Sequence, residues 1–332
     1  MTTRYDGLLM FSGGLDSAIA AHLLKNQGLS LLGIHFVLPF YSGIGREHRQ
    51  VQSFADALGL PLRIIEEGEE FFTMVRSPKF GFGKSANPCL DCRIHRLEKA
   101  RKIMEEVGAS FIATGEVIGQ RPKSQRLECL HLIERRTGLE GRLLRPLCAQ
   151  HLDPTLPERE GAVKREHLFG WTGRSRHPQL AYAREHGLQH MSPAGGCLLT
   201  MVPSGKRYLQ LVERYPDFDL TDFKLIAYGR HFLLTDHCRM VIARDDAENE
   251  PIEKIVTEND LCFDLADTPG PMGVGRGKFT EEDIATAAAM VARYSRARSE
   301  PQVRVKVFRR SGGEQIVTVK PADPAFCEAR RV

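Results

Sequence analysis

The chain has 332 residues, which at about 150 residues per domain suggests two domains. Its 42% hydrophobic and 27% charged residues are typical of a globular protein with a buried core, which excludes fibrous and broadly disordered classes. The 46 Lys and Arg residues against 42 Asp and Glu residues leave a net charge of +4. This excess does not indicate a nucleic-acid binder unless the charge is concentrated in one place, and no apolar run approaches the ~20 residues of a membrane span.

Eight cysteines are the most informative part of the composition. A chain of this size does not need disulfide bonds to hold its core, and the N-terminal residues lack the basic-then-apolar pattern of a signal peptide. We therefore expect a cytoplasmic protein with reduced thiols, in which clustered cysteines indicate metal binding or catalysis.

The first two hundred residues alternate short apolar runs with helical patterns. This alternation predicts βαβ units and a doubly wound, mostly parallel α/β sheet. The predicted strands are residues 7–11, 30–37, 62–65 and 110–114, the predicted helices are 17–25, 46–58, 92–107 and 179–186, and residues 150–177 are predicted to form an irregular loop.

The pattern changes after residue 205. Residues 223–234, 240–244 and 261–265 are predicted strands, residues 281–298 an alanine-rich helix, and residues 303–308 and 315–319 a closing hairpin. These elements are typical of a smaller α+β domain. We place the boundary at residues 203–206, which divides the chain into domains 1–204 and 205–332.

A glycine-rich segment, Ser12-Gly-Gly-Leu-Asp-Ser17, lies between the first predicted strand and the first predicted helix. Gly13 and Gly14 allow a tight turn whose N–H groups form an anion-binding nest at a helix N-terminus. Ser12 and Ser17 add hydroxyl donors, and Asp16 is placed either to hold a magnesium ion or to cap the helix. The segment therefore predicts a phosphate-binding loop.

This loop resembles the PP-loop of the ATP pyrophosphatase superfamily. The resemblance implies an adenine nucleotide α-hydrolase-like fold, ATP and Mg²⁺ as ligands, and transfer of AMP to an oxygen atom with release of pyrophosphate. The loop lacks the lysine of a Walker A motif, which disfavours kinase and GTPase chemistry.

A second motif, Thr114-Gly-Glu-Val-Ile-Gly-Gln120 followed by Ser124 and Gln125, comes just after a predicted strand, where open α/β sheets bind ligands. It resembles the T-G-E-x-x-G-Q-x-x-S-Q pattern of ThiI-type tRNA 4-thiouridine synthetases, with extra residues in the variable spacer. Leu143-Leu-Arg-Pro-Leu147 resembles a further segment of the same enzymes. The resemblance implies that Thr114, Gly115 and Gln120 contribute to ATP binding.

Cys89 and Cys92 form a Cys-x-x-Cys pair at the start of a predicted helix. The i, i+3 spacing puts both sulfur atoms on one side of the first turn, where the positive helix end and neighbouring Arg93, His95 and Arg96 favour thiolates. Such a pair fits zinc, a redox pair or a cluster. No second Cys-x-x-Cys or close histidine pair accompanies it, which argues against a closed zinc site.

Cys197, in Pro193-Ala-Gly-Gly-Cys197, is the third cysteine of interest, because Gly195 and Gly196 allow close backbone approach to its sulfur. ThiI-type enzymes carry sulfur on a cysteine near this point, and cluster-dependent tRNA thiolases hold a [4Fe-4S] cluster with three cysteines so distributed. This resemblance implies that Cys89, Cys92 and Cys197 hold such a cluster. In the alternative, Cys197 carries a persulfide that Cys89 or Cys92 resolves. The other cysteines are expected to be small buried residues: Cys129, Cys148, Cys238, Cys262 and Cys327.

Basic residues are concentrated in residues 121–145, with seven basic and three acidic groups, and in residues 291–310, with seven basic and one acidic. Binding to a phosphate backbone requires such clusters. The segment Asp267-Thr-Pro-Gly-Pro271, the alanine-rich helix and the strand after it resemble the NFACT RNA-binding domain. The resemblance implies that the second cluster contacts RNA through Arg293, Tyr294, Arg296, Arg298, Arg304 and Lys306.

These observations predict an ATP-dependent tRNA sulfurtransferase that adenylates a uridine carbonyl and replaces its oxygen with sulfur, with 4-thiouridine as the favoured product. The expected catalytic residues are Asp16, Cys89, Cys92 and Cys197, and the expected partners are tRNA and a sulfur donor, either sulfide or a cysteine desulfurase. One alternative is a 2-thiouridine synthetase, because Asn87-Pro-Cys89 also resembles the MnmA family. The other is a non-catalytic RNA-binding factor that uses ATP only as a structural or regulatory ligand.

Overall fold

A computed structural model describes residues 4–41, 46–192 and 197–332. The chain divides into two compact units, Met1–Cys197 and Leu198–Val332. The division falls a few residues before the predicted boundary at residues 203–206. No helix of the described chain is both long and apolar enough to cross a membrane.

The first unit is built on a parallel sheet with strands β1 (Gly7–Met10), β2 (Leu31–Val37), β3 (Leu62–Glu66), β4 (Phe111–Thr114) and β5 (Leu143–Leu144). Their order is β3-β2-β1-β4-β5, and every neighbouring pair is parallel. Leu8 and Leu9 follow each other on β1 and are buried in different core clusters. Burial on both faces is typical of a parallel sheet covered by helices, and the predicted α/β class is confirmed.

The helices of this unit are α1 (Leu15–Lys25), α2 (Arg46–Ala57), α3 (Glu69–Arg76), α4 (Cys89–Glu106), α5 (Leu127–Thr137), α6 (Leu156–Arg159) and α7 (His177–Glu185). Helix α4 begins at Cys89, before the predicted start at residue 92, because the N–H of Cys92 already bonds the Pro88 carbonyl at 2.8 Å. Residues 150–177 are not entirely irregular as predicted. They include α6, which a capping box of Thr155 and Glu158 begins.

The strand order of the first unit reverses between β1 and β4. From β1 the sheet continues to β2 and β3 on one side, and from β4 to β5 on the other. Open α/β sheets bind ligands outside the carboxyl ends of the strands at such a reversal. The segments that leave these two strand ends, residues 12–17 and 115–120, are the two motifs identified in the sequence.

The second unit contains an antiparallel sheet of β6 (Arg230–Leu233), β7 (Cys238–Ile242), β8 (Leu261–Leu265), β9 (Gly273–Gly277), β10 (Val303–Phe308) and β11 (Glu314–Val319). The strand order is β11-β10-β8-β9-β7-β6. The helices are α8 (Val202–Arg214), α9 (Leu220–Leu225), α10 (Asn249–Ile255), α11 (Glu281–Arg293) and α12 (Pro324–Glu328). The apolar face of α11, including Ala287 and Val291, packs with sheet residues such as Phe263 in one core, which confirms a smaller α+β domain.

The predicted strand at residues 223–234 is wrong in its first half. Its first residues belong to α9, which is followed by a turn at Gly229 (φ 65°) and then by β6. A capping box starts α9: the Asp219 side chain accepts the N–H of Asp222 at 3.0 Å, and the Asp222 side chain accepts the N–H of Asp219 at 3.2 Å. This capping box therefore favours a helix over a strand at the start of the segment.

The predicted helix at residues 281–298 is too long at its C-terminus. Helix α11 ends at Arg293, and the hydroxyl of Ser295 donates a hydrogen bond to the Ala292 carbonyl at 2.7 Å. A side-chain bond of this kind competes with continued helix. Several short elements were not predicted at all: α3, α5, α8, α10, α12, β5 and β9.

Candidate functional site

The phosphate loop connects β1 to α1. Gly13 has φ 72°, a left-handed conformation that favours glycine, and Gly14 is the N-cap residue of α1. Ser12 Oγ accepts the N–H of Gly14 at 3.3 Å, and Ser17 Oγ donates to the Gly14 carbonyl at 2.8 Å. Ser17 thus shapes the loop. The N–H groups in the first turn of a helix have no intrahelical acceptor, so those at the start of α1 are available to an anion.

Two glutamines orient the carboxylate of Asp16. Gln120 Nε2 donates to Asp16 Oδ2 at 2.7 Å, and Gln179 Nε2 donates to Gln120 Oε1 at 3.2 Å. Asp16 Oδ1 is buried and has no hydrogen-bond partner among the described residues. Burial raises the pKa of Asp16, although Gln120, Arg176 and Arg121 act in the opposite direction. A buried carboxylate oxygen without a partner, next to a phosphate loop, fits a hard cation such as Mg²⁺.

The segment after α7 lies on the phosphate loop. The N–H of Met191 donates to the Gly13 carbonyl at 2.8 Å, and Gly14 and Met191 form an isolated parallel bridge. His190 is among the groups that act against the rise in the pKa of Asp16 caused by burial. Sequence reasoning missed Gln179, Arg176 and His190, because no local pattern marks residues that reach the loop only when α7 packs beside α1.

Gly115 lets the end of β4 approach the start of α1 closely. A Cβ atom at this position would lie 2.6 Å from the Asp16 carbonyl carbon and 2.7 Å from the Ser17 nitrogen. Backbone atoms cannot move aside as a flexible side chain would, so only glycine fits. Thr114, expected to bind ATP, is buried, and its hydroxyl donates to Glu116 Oε2 at 3.1 Å. Its side chain therefore supports Glu116 within the protein.

Glu116 joins three motifs that are far apart in the sequence. One carboxylate oxygen lies 3.1 Å from Arg93 Nε, and the other lies 3.1 Å from Arg145 Nε. Arg145 belongs to the Leu-Arg-Pro-Leu segment, is fully buried, and also pairs with Glu134. Burial alone would raise the pKa of Glu116, but the guanidinium groups of Arg93 and Arg145 hold it below its ordinary value. The carboxylate therefore links the end of β4 to the first turn of α4.

Cys89 and Cys92 lie in the first turn of α4 and are half-buried. Asn87 Nδ2 donates a hydrogen bond to Cys89 Sγ at 3.1 Å. Asp91, between them, is buried and accepts the N–H groups of Lys79 at 2.8 Å and Phe80 at 3.2 Å. These bonds fix the helix start to the segment before it.

The basic neighbours of the cysteine pair do not act as the sequence suggested. Arg93 is bound to Glu116, and His95 Nε2 lies 3.0 Å from the buried carboxylate of Glu67. Arg96 lies 3.8 Å from the same carboxylate, so these charges are directed at carboxylates.

Cys197 is half-buried and belongs to the first unit. Gly195 and Gly196, which were expected to allow close approach to its sulfur, lie outside the described residues. Within residues 4–41, 46–192 and 197–332, no group of three or more His, Cys, Asp or Glu side chains is placed to hold a metal ion. The structure therefore does not assemble Cys89, Cys92 and Cys197 into the ligand set of a cluster.

Four of the remaining cysteines are buried: Cys148, Cys238, Cys262 and Cys327. Burial raises the pKa of the Cys148 and Cys262 thiols to about 11, which keeps them protonated and unreactive at neutral pH. Cys129 is half-buried, and its thiol donates to the Lys123 carbonyl at 3.5 Å.

The residues expected to bind RNA differ in what their side chains already contact. Arg304 pairs with Asp267 at 2.9 Å, and Lys306 pairs with Glu314 at 2.8 Å. The Tyr294 ring packs against Phe232, with the guanidinium of Arg230 over it at 4.9 Å. Arg293 is half-buried, and Arg296 and Arg298 are exposed. Arg296, Arg298 and Arg304 are thus the exposed members of this set, and Arg304 is the one paired with Asp267.

Two known families match separate parts of the chain. Residues 8–134 match the tRNA methyl transferase HUP domain, and residues 229–329 match the NFACT protein RNA binding domain. The first match covers the phosphate loop, the cysteine pair and the segment containing Glu116. The second covers most of the second unit.

The curated relatives each match about a third of the chain. The chain is 34% identical over 116 residues to the tRNA-specific 2-thiouridylase MnmA of Sulfurimonas denitrificans, which covers 33% of this chain and 34% of that protein. It is 32% identical over 117 residues to the same enzyme of Syntrophotalea carbinolica, with 32% and 33% covered. The chain spans about a third of the length of the curated relatives it matches.

One solved structure, described as a predicted subunit of tRNA methyltransferase from Methanocaldococcus jannaschii, is 17% identical and covers 63% of this chain and 88% of that chain. Its TM-score of 0.36 is too low to carry an argument. The relatives named here are 2-thiouridylases and do not support the 4-thiouridine assignment specifically. The chain is therefore similar to a tRNA methyl transferase HUP domain in its first unit and to an NFACT RNA-binding domain in its second.

Proposed function

We propose that the chain is an ATP-dependent tRNA thiolase, which activates a uridine carbonyl at the phosphate loop and replaces its oxygen with sulfur from a cysteine. The observation that carries this proposal is the double attachment of residues 114–120. Gln120 in this segment bonds Asp16 of the phosphate loop, and Glu116 pairs with Arg93 beside Cys92. Nucleotide activation and cysteine chemistry are thereby held at one edge of the sheet.

The first step is adenylation. The uridine carbonyl oxygen attacks the α-phosphorus of ATP, a new P–O bond forms, and pyrophosphate leaves. The loop amides at the start of α1 hold the phosphates, and Arg121 and Arg176 supply positive charge around Asp16. The product is a uridine whose oxygen is part of AMP, which is a good leaving group.

Asp16 is the residue that would hold Mg²⁺, because its Oδ1 atom is buried without a partner while Gln120 fixes Oδ2. When bound, the ion neutralises phosphate charge that develops as pyrophosphate departs. Asp16 contributes by remaining ionised and correctly oriented for that ion.

The second step transfers sulfur, and we propose that Cys197 carries it as a persulfide. The terminal sulfur of the persulfide attacks the adenylated carbon, AMP leaves with the oxygen, and a Cys197–S–S–carbon linkage results. The thiolate of Cys89 or Cys92 then attacks the Cys197 sulfur, which gives a protein disulfide and releases the thiouridine. A cysteine desulfurase supplies the persulfide sulfur, and a thiol reductant opens the disulfide.

The iron–sulfur centre expected from the sequence, held by Cys89, Cys92 and Cys197, is the alternative to this route. Determination of iron and acid-labile sulfide in anaerobically purified protein tests this choice. Iron and sulfide that are bound by the wild type and lost in Cys197→Ser would replace the persulfide route by the cluster.

The similarity to 2-thiouridylases favours C2 of uridine as the carbon that is modified. The segment from Thr114 to Gln125 favours C4 instead, because it resembles 4-thiouridine synthetases and its Gln120 touches the phosphate loop. We therefore propose 2-thiouridine as the product and keep 4-thiouridine as the second candidate.

Mass spectrometry of nucleosides decides between these products. Unmodified tRNA transcripts are incubated with the protein, ATP, a cysteine desulfurase and cysteine, and then digested. We expect 2-thiouridine to accumulate with stoichiometric pyrophosphate. 4-Thiouridine alone would move the proposal to C4, whereas no thionucleoside and no tRNA-dependent pyrophosphate would leave only an RNA-binding role.

Cysteine variants should separate the two steps. Cys197→Ser is expected to lower thionucleoside formation by at least about 100-fold, because the hydroxyl cannot carry sulfur, and to leave tRNA-dependent pyrophosphate release near the wild-type rate. Substitution of one member of the Cys89 and Cys92 pair should have the same effect. Cys129→Ser, at another half-buried cysteine, is the control and should retain both activities. Normal thiolation by Cys197→Ser would contradict the persulfide step.

A further inference from the structure

Four arginines of the second unit gather at the edge of its sheet. This arginine cluster consists of Arg207 on α8, Arg230 at the start of β6, Arg244 just after β7, and Arg331 near the end of the chain. Arg331 reaches the edge because it forms an isolated antiparallel bridge with Phe232 of β6. The cluster lies apart in sequence from the residues expected to bind RNA.

Three of the guanidinium groups bond backbone carbonyls in two segments, the turn between α9 and β6 and the residues just after β7. Arg207 Nη1 donates to the Ile226 carbonyl at 3.1 Å, and Arg244 Nη2 donates to the Ala227 carbonyl at 3.2 Å. Arg230 Nη1 donates to the Ala243 carbonyl at 3.0 Å. Each group is thus held in place by a backbone carbonyl, which fixes its direction.

The cluster has less negative charge than positive. Arg244 pairs with Glu248 and donates from its Nε to the Glu248 carboxylate at 2.7 Å. The same carboxylate accepts the N–H of Gly229 at 3.0 Å. Glu328 lies 3.4 Å from Arg331 in an exposed pair. The Nε atom of Arg207 is buried and has no hydrogen-bond acceptor in the described chain.

Electrostatics identify Arg207 as the uncompensated member. Burial lowers its pKa, and the charges of Arg244 and Arg331 lower it further, with Glu248 acting weakly in the other direction. The neighbouring His231 is fully buried, and burial together with Arg207 lowers its pKa to about 3, so it is neutral. A half-buried guanidinium repelled by its neighbours is unfavourable unless an anion binds there.

The same unit provides carboxylates for its other buried arginines. Arg239 Nε donates to Asp222 at 2.8 Å, and Arg276 donates to Asp219 at 2.6 Å and to Asp260 at 2.9 Å. The charges of the aspartates hold the pKa values of both arginines above the ordinary range, against the effect of burial. Arg239 and Arg276 are thus paired with aspartates, whereas the Nε atom of Arg207 has no hydrogen-bond acceptor in the described chain.

We propose that the arginine cluster is a phosphate site, which takes a phosphodiester of the tRNA backbone. This inference rests on the proposed function, because it names how the second unit holds the substrate of the first. Guanidinium groups bind phosphate oxygens through paired N–H donors, and phosphate contacts supply much of the affinity for RNA. The cluster contains Arg207, whose Nε atom has no acceptor in the described chain, whereas Arg304 and Lys306 are paired with carboxylates.

The test compares Arg207→Gln with Arg214→Gln in the full chain. Both positions are on α8, but Arg214 is exposed and paired with Asp236 at 2.5 Å. Binding of fluorescently labelled tRNA is measured by anisotropy over a range of salt concentrations. We expect Arg207→Gln to weaken binding by about tenfold or more and to reduce the slope of log Kd against log salt by about one, while Arg214→Gln changes neither by much.

A thermal measurement separates an anion site from a structural role. Inorganic phosphate should raise the Tm of the wild type in a concentration-dependent way. This increase should be lost in Arg207→Gln and reduced in Arg331→Gln, whose side chain is exposed. In the absence of phosphate, Arg207→Gln should have a Tm equal to or above the wild type. Weaker tRNA binding with an unchanged phosphate effect would mean that the site does not bind phosphate.

The outcomes also distinguish this proposal from the proposed function. Wild-type affinity and salt slope in both Arg207→Gln and Arg331→Gln, with thiolation intact, would overturn the phosphate site alone. A wild-type chain that neither binds nor thiolates tRNA would overturn the proposed function, and the phosphate titration would then show whether the cluster binds the free anion. Loss of tRNA binding in Arg207→Gln, with normal pyrophosphate release at saturating tRNA, supports both.

Discussion

Replacing Asp16 by asparagine is expected to lower tRNA-dependent pyrophosphate release by about 100- to 1,000-fold, the effect typical of removing one group that stabilises transition-state charge. Asparagine has the same shape and can still accept the hydrogen bond of Gln120. What it lacks is the negative charge at the buried position of Oδ1. Steady-state release of pyrophosphate with saturating tRNA and ATP measures the effect.

The same substitution should raise the free energy of unfolding at neutral pH. Burial raises the pKa of Asp16 above 3.8, so the folded state binds this proton more tightly than the unfolded state does. The ionised carboxylate therefore destabilises the fold above its folded pKa, and this penalty disappears as the pH falls below 3.8. The stability advantage of Asp16→Asn should accordingly be largest at neutral pH and decrease on acidification.

The control for this prediction is Asp56→Asn, at an exposed carboxylate on α2 that accepts a hydrogen bond from Gln52 at 2.8 Å. It should change neither pyrophosphate release nor the midpoint of urea unfolding by much. A loss of activity in Asp16→Asn that is accompanied by lower stability would mean that Asp16 acts as a structural group. An unchanged rate would remove it from the adenylation step.

The features predicted well from the sequence are those set by residues close together in the chain. The six residues of the phosphate loop contain their own turn, N-cap and hydroxyl contacts, so the segment between a strand and a helix is recognisable without the rest of the fold. The parallel sheet is equally local in origin, because apolar strands buried on both faces have a simple pattern. These properties require no knowledge of distant partners.

The contacts that were missed join residues far apart in sequence. Counting charge in residues 291–310 could not show that Asp267 pairs with Arg304 or that Glu314 pairs with Lys306. The arginine cluster could not be predicted from the sequence for the same reason, because its members come from α8, two strand ends and the end of the chain. Charge density along a sequence measures net charge, whereas binding depends on which charges the fold leaves uncompensated.

The carboxylate of Glu116 should carry the second large effect. Glu116→Ala is expected to lower the free energy of unfolding by about 3 kcal/mol, because removing one partner leaves the buried Arg145 guanidinium less well compensated. This loss of stability is at the lower end of the range for removing one partner of a buried ion pair, because Glu134 still contacts Arg145. Equilibrium urea unfolding of the full chain, analysed for the transition of the first unit, measures it.

The pH dependence of this contribution has a definite sign. Despite burial, Arg93 and Arg145 hold the pKa of Glu116 below its ordinary value of 4.5. Its stabilisation is therefore complete above pH 4.5 and is lost as the pH falls through the folded pKa. The difference in stability between wild type and Glu116→Ala should shrink in that acidic window.

Glu116 should also position the cysteine pair, because Arg93 follows Cys92 directly in α4. Glu116→Gln keeps the shape of the side chain but weakens its hold on Arg93, so thionucleoside formation should fall more than pyrophosphate release. The control is Glu106→Ala, at the exposed pair with Arg63 (3.0 Å) near the other end of α4, which should cost less than about 1 kcal/mol and spare both steps. Equal losses in both steps for Glu116→Gln would show that Glu116 supports the whole sheet edge and has no particular role in sulfur transfer.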